Sequence, residues 1–149
     1  MLNALQNALT ITLALHSGRH RKCRHLGGFG LRVGVERRAG KNDAVVLDDG
    51  VIFACAALYP YPEAKTAEMA ALTVSPAVQG QGDGERVLKR IEQRAKAAGL
   101  DSIFVLTTRT MHWFIKRGFA QVDPDWLPEA RKRKYNWDRK SQVLVKKLL

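Results

Sequence analysis

Along residues 41–149, apolar and polar positions alternate in short runs set off by turn residues. Ala44–Leu47 and Val51–Tyr59 read as strands joined by a tight turn at Asp48-Asp49-Gly50, and Pro60-Tyr61-Pro62 is expected to break the second. Thr66–Val74 (TAEMAALTV) predicts a third strand, ended by Ser75-Pro76. Over Asp83–Ala98 the period changes: Val87, Leu88, Ile91, Ala95 and Ala98 share one helical face, with Glu85/Lys89 and Glu92/Lys96 as i,i+4 pairs and Gly99 at the stop. Ser102–Thr107 predicts a short buried strand, Thr110–Arg117 a helix stopped by Gly118, and Phe119–Val122 another strand. Pro128–Tyr135 predicts a basic helical turn and Ser141–Leu149 a last strand. The order β-β-β-α-β-α-β-(α)-β, without internal repeat, implies an α/β fold with a mixed sheet. Antiparallel hairpins come first and crossover helices after.

The first forty residues do not follow this pattern. Leu2, Leu5, Ala8, Leu9 and Thr12 fit one face of a short helix, but His16–Gly40 holds no stable period of 2 or 3.6. Residues 1–41 are therefore expected to form a basic Gly/Arg/His-rich leader, poorly ordered or loosely docked, ahead of a domain over 42–149. Leu2–Leu15 has no basic residue before it and no small-residue cleavage site, so a signal peptide is not expected. No apolar run approaches the ~20 residues of a membrane span.

Composition narrows the class. At 149 residues and 46% hydrophobic, the chain holds one domain and is not disordered in bulk. Cys23 and Cys55 are too few for a disulfide scaffold and suggest a reducing, cytoplasmic setting. His16, His20 and His25 with Cys23 match no common zinc spacing, so no metal is expected. The formal charge is +11, with +6 on residues 1–40. Such a surface attracts nucleic acid, anionic membrane or a polyanionic ligand such as a nucleotide cofactor, and charge alone does not choose among them.

The chemistry is concentrated in LTVSPAVQGQGDGERVLKRIEQ, a strand, a glycine-rich loop and a helix. Gly80, Gly82 and Gly84 allow positive φ and leave no Cβ in a ligand's way. The N–H groups of Gly82, Asp83, Gly84 and Glu85 then converge with the positive helix end behind them, an arrangement that binds phosphate. The loop is neither a P-loop nor GxGxxG, so nucleoside-triphosphate and dinucleotide enzymes lose ground. What remains is Gln79-x-x-Gly82-x-Gly84.

That pattern resembles the pyrophosphate motif of the GNAT N-acetyltransferases. EMAALTVSP, IFVLTTRTMHWFIKRGF, LPEARKRKY and DRKSQVLVKKL narrow the likeness to the acetyltransferase domain of bacterial amino-acid N-acetyltransferases, the N-acetylglutamate synthase group, over roughly residues 42–149. The resemblance implies a GNAT-like mixed central sheet flanked by helices, with N-terminal elements atypical or missing. It implies acetyl-CoA as co-substrate and L-glutamate as acceptor. The group's usual amino-acid-kinase-like domain does not fit into 149 residues, and the strand and two helices that normally open the GNAT domain find no pattern in residues 1–41.

The same resemblance distributes roles. Glu68 takes the general-base position, direct or through water, where the residue alone would read as a solvated strand residue. The backbone of Leu72–Val74 should pair with the pantetheine arm, and Gln79, Gly80, Gly82, Asp83, Gly84 and Glu85 should hold the pyrophosphate. Many GNAT enzymes protonate the leaving thiolate with a tyrosine four residues before Gly-Phe. Phe114 stands there, so the implied donor is Thr107, with Thr108 as alternative and turn capping as the plain reading. Arg139 and Ser141 are implied to hold the acceptor's carboxylate, with Arg131 or Arg133 as further candidates. By itself RKRKYNWDRK reads equally as a solvated basic run, or as a nucleic-acid surface with Tyr135 and Trp137 stacking on bases. His112 is expected to be packed, or to support the site from behind, rather than to be catalytic.

Two other readings stay open: an impaired GNAT scaffold binding nucleic acid or a regulatory partner through its basic surface, and a GNAT acetylating another amine. The basic tail argues against a cationic amine. Nucleic acid and membrane are not the expected partners, and a homo-oligomer is left open.

Overall fold

The computed structural model describes the backbone of residues 32–37 and 43–48 together with residues 52–74 and 79–149, with side chains from residue 54 onward. The helical face expected at Leu2–Thr12, the His/Cys set of the leader and the turn at Asp49-Gly50 lie outside the described residues. The chain divides into two compact units: one of residues up to Tyr59 with Met69–Gln93, the other of Pro60–Glu68 with Arg94–Leu149.

In the first unit, strands β1 (Arg32–Arg37), β2 (Asp43–Asp48) and β3 (Ile52–Tyr61) run antiparallel in sequence order, and β4 (Thr66–Val74) follows beside β3. The register runs Arg32↔Asp48 to Arg37↔Asp43, then Asp43↔Leu58 onward, with an irregularity at Leu47/Asp48. β1 falls inside the segment read as patternless. Val33 and Val35 alternate with Arg32, Gly34 and Glu36, a period of two too short to stand out among the surrounding glycines and arginines. β3 also runs two residues past its expected end. Pro60 stays extended because a proline φ suits a strand, and its missing N–H is tolerated where pairing runs out. The strand ends at the 3-10 turn Pro62–Ala64.

Ala54–Leu58 are all buried, as expected of a strand covered on both faces. Burial pushes the Cys55 thiol up, which keeps it protonated and unreactive at neutral pH. Helix α1 (Asp83–Ala97) buries Val87, Leu88 and Ile91 on the expected face, and Lys89 pairs with Glu85 at 3.6 Å.

In the second unit the start of β4 runs parallel to β5 (Ser102–Thr107), over Thr66↔Ser102 to Glu68↔Phe104. β5 then pairs antiparallel with β7 (Gln142–Lys147), and β7 with β6 (Ala120–Val122). The parallel junction is bolted by buried hydroxyls: Ser102 donates to the Thr66 hydroxyl at 2.9 Å, and Thr66 donates to the Ser102 carbonyl at 3.2 Å. Short helices α2 (Met111–Ile115) and α3 (Glu129–Lys132) connect the later strands and are tighter than the expected Thr110–Arg117 and Pro128–Tyr135. The core of this unit is Phe104, Leu127, Tyr135 and Val143, with Tyr61, Leu106, Val122 and Val145 packed against it. Phe104 meets Tyr61 and Trp126 at ring distances of 5.9 and 5.8 Å. Among the described residues, no helix is long and apolar enough to cross a membrane.

Candidate active site

The first unit carries the glycine-rich turn. The Gln79 Nε2 donates to the Val74 carbonyl at 3.2 Å and so ties the turn to the end of β4. Gly80 and Gly82 sit at φ +84° and +86°, where a side chain is strained whatever the space around it. A Cβ built at either would meet none of the described protein atoms within 4 Å, so the strain at these positions lies in the backbone and not in crowding. Helix α1 begins directly behind it, with Arg86 N–H donating to the Gly82 carbonyl at 3.1 Å. Its first-turn amides therefore form the positive end of the dipole. The Asp83 carboxylate is only 5% exposed, and its charge is met by Arg86 at 3.3 Å. That pairing lowers the repulsion an anion would otherwise meet at this helix start.

These dihedrals give a first prediction. Gly82→Asp places a carboxylate and a strained backbone at the mouth of the turn. It should weaken coenzyme A binding at least tenfold, about 1.4 kcal/mol. Unchanged affinity by calorimetry would show that the turn is not the phosphate site.

β4 leads into this turn with one residue out of the ordinary. Ala71 holds φ +53°, left-handed backbone inside an extended run, and Thr73 Oγ1 donates to its carbonyl at 3.2 Å. Leu72 and Val74, the expected partners of an extended ligand arm, follow immediately and are half-buried. Nothing in the composition of TAEMAALTV marks Ala71.

The second unit brings two of the singled-out residues together. Glu68, 8% exposed in β4, is gripped by Arg131 of α3: Nε donates to Oε2 at 2.6 Å and Nη2 to Oε1 at 3.2 Å. Burial alone would lower the Arg131 pKa. The hydrogen bond and charge of Glu68, with Tyr61 and Tyr135 adding, outweigh it and hold the guanidinium above its ordinary value. Sequence reasoning gave these residues separate roles, base and carboxylate ligand. They lie 63 positions apart, and no local pattern joins them.

Thr107 closes β5. Its hydroxyl shares a hydrogen bond with the Thr110 hydroxyl at 2.8 Å and accepts from the Thr110 and Arg109 amides at 3.0 and 3.3 Å, so it caps the turn into α2. Phe114 is buried between Trp113 and Phe119. His112 is exposed on the short α2, so the packed alternative for it does not hold.

Arg139 is exposed at the end of the 3-10 turn Trp137–Arg139, which Asn136 caps by accepting from the Asp138 and Arg139 amides. Ser141 lines a pocket of about 430 Å³ with Val122, Asp123, Tyr135, Trp137 and Lys140. Tyr135 is buried and donates from its hydroxyl to the Ser141 carbonyl at 2.6 Å, so it cannot stack on a base; Trp137 stands 60% exposed against its edge. Tyr135→Phe should therefore leave the Ser141 carbonyl short of a donor and cost about 1–2 kcal/mol in chemical denaturation. An unchanged midpoint would mean that water replaces the bond.

The family model for "Acetyltransferase (GNAT) family" matches residues 14–119. The chain belongs to the GNAT acetyltransferase family. The match starts upstream of residue 42, where the resemblance by motif begins. Among GNAT relatives, the amino-acid acetyltransferase of Ralstonia nicotianae is 61% identical over 107 residues, 72% of this chain and 24% of that protein. The amino-acid acetyltransferase of Escherichia coli K12 is 50% identical over 101 residues, 68% of this chain and 23% of that protein. The chain thus spans about a quarter of the length of these curated relatives. Among solved structures, N-acetylglutamate synthase from Neisseria gonorrhoeae, complexed with coenzyme A and N-acetyl-glutamate, superposes with a TM-score of 0.68 and 36% identity, covering 78% of this chain and 29% of that one. The GNAT fold expected from the glycine loop and its flanking elements is the fold found.

Proposed function

We propose that this chain transfers the acetyl group of acetyl-CoA to the α-amine of L-glutamate, the reaction that opens arginine synthesis. The observation that supports it best is the 61% identity to an amino-acid acetyltransferase, in a family whose co-substrate is acetyl-CoA. The positive-φ glycine turn at the start of α1 suits a pyrophosphate, and the end of β4 at Leu72–Val74 suits the pantetheine arm as an added strand. Glu68 takes the proton that frees the acceptor's nitrogen, directly or through water. The nitrogen attacks the thioester carbonyl carbon, the C–S bond breaks, and the second proton that the nitrogen loses passes to the thiolate of coenzyme A, with the Thr107–Thr110 hydroxyl pair as the proposed relay. Arg139 and the Ser141 hydroxyl are the proposed ligands of the acceptor's carboxylates.

Cytoplasmic location, no membrane and no nucleic-acid partner go with this reading, and it admits a homo-oligomer. The test is thiol release from acetyl-CoA with L-glutamate against a panel of other amines. Glutamate should be preferred; release with another amine and none with glutamate would overturn the reading.

A further inference from the structure

We propose that Arg86 and Arg90 of α1 form a subsite for the 3′-phosphate of coenzyme A, so that the chain tells coenzyme A from its dephospho form. The inference rests on the acetyl-CoA reading, which puts the pyrophosphate at the glycine turn. Coenzyme A carries a third phosphate on its ribose, a monoester with close to two negative charges at neutral pH. A ligand docked by its pyrophosphate at the start of α1 has to leave that dianion near the first turns of the helix.

α1 offers it two unequal flanks. Val87, Leu88 and Ile91 face the core. On one side of them stand Glu85, Lys89, Glu92 and Lys96, where each cation has a carboxylate four residues before it, as in the Glu85–Lys89 pair at 3.6 Å. On the other side stand Arg86 and Arg90, like charges one turn apart, an arrangement that destabilises a helix unless an anion lies between them. Arg86 spends one of its five N–H donors on Asp83, at 3.3 Å, and its side chain is 56% exposed. Arg90 spends one on a neutral amide, the Gln93 Oε1 at 3.2 Å, and meets no carboxylate among the described residues. Its Nε is shielded from water and has no acceptor among them. A half-buried cation without a counter-charge is costly, and a bound anion removes that cost.

The placement suits the ligand. Asp83, Arg86, Arg90 and Gln93 belong to the first unit, as the glycine turn does. Helical side chains lean toward the N-terminus, so both guanidinium groups extend back toward the turn. A ribose sets the 3′-phosphate about one turn of helix, ~5.4 Å, from the pyrophosphate. Arginine forks match phosphate oxygens two at a time, and two forks suit a single phosphate. A nucleic-acid strand fits so short a stripe poorly, since it calls for a row of cations along its backbone.

The test is calorimetry of full chains with coenzyme A and with dephospho-coenzyme A, which lacks only the 3′-phosphate. Wild type should bind coenzyme A about tenfold tighter or more. Arg90→Gln and Arg86→Gln should each cut that ratio about threefold or more, and the double variant should bring it within about twofold of unity. Affinity for dephospho-coenzyme A should stay within about twofold throughout, because it lacks the group that the arginines hold. Lys89→Gln removes the same charge from the other flank and should leave the ratio within about twofold of wild type. The ratio separates contact from damage, because a distorted turn weakens both cofactors alike. Arginine variants that weaken both alike would overturn the proposal. So would a ratio that falls as far in Lys89→Gln as in the arginine variants. If Arg86→Gln does not fold, because Asp83 loses its partner, Arg90→Gln carries the comparison. A wild type that binds both cofactors equally removes the subsite and leaves the acetyl-CoA reading. A wild type that binds neither removes that reading, and the subsite with it.

Discussion

Glu68→Gln should lower turnover by about two to four orders of magnitude while affinity for coenzyme A stays nearly intact, the usual range for loss of a general base. The substitution is close to isosteric. A glutamine keeps one oxygen to accept from Arg131 but loses the charge, and its amide nitrogen faces a second guanidinium N–H as donor against donor. Some stability goes with it, about 1–3 kcal/mol, because a part-buried guanidinium is left without its anion. That cost is to be measured by denaturation and set apart from the kinetic loss, which is larger if the assignment holds. Normal turnover at neutral pH would make Glu68 a structural residue whose task is to anchor α3.

Phe104→Ala is expected to be the most damaging substitution for the fold, at about 3–5 kcal/mol. Phe104 is fully buried and forms the hub of the second unit's core, between Tyr61 and Trp126 and against Leu127, Tyr135 and Val143. No single neighbour can collapse into the space it leaves, since rings stand on two sides of it. It is also the register partner of Glu68 in the last pair of the β4–β5 ladder, so the loss should reach the site as well as the core. Urea denaturation followed by circular dichroism gives the number. A loss below about 1 kcal/mol would show that the aromatic cluster is not what holds these strands.

The parts legible in the sequence were those whose causes are local. Thr66–Val74 and Ser102–Thr107 were read to the residue, because each is an apolar run bounded by strong turn signals. The glycine turn and start of α1 were legible for the same reason: positive-φ glycines and a helix start are properties of a few adjacent residues. β1 escaped because two valines do not make a pattern against arginine and glycine; pairing with β2, not local propensity, makes that segment a strand. The grip of Arg131 on Glu68 and that of Tyr135 on the Ser141 carbonyl were beyond reach too. Each is decided by how α3 and the chain after it pack back on the strands, and a basic run such as RKRKYNW looks the same whether its members face water or a carboxylate.

The left-handed residue in β4 bears on how that strand tolerates change. Ala71 at φ +53° stores about 1–2 kcal/mol of backbone strain, present before any ligand arrives. It also interrupts the two-residue rhythm by which a strand sorts its side chains between two faces. Positions before and after it therefore cannot be treated as one alternating series, and a substitution harmless at Ala70 says nothing about Leu72 or Val74. Glycine is the one residue that would enter position 71 without strain, and in doing so it would make the bend optional. Alanine there keeps the bend costly but fixed, a trade of stability for shape made within a single residue.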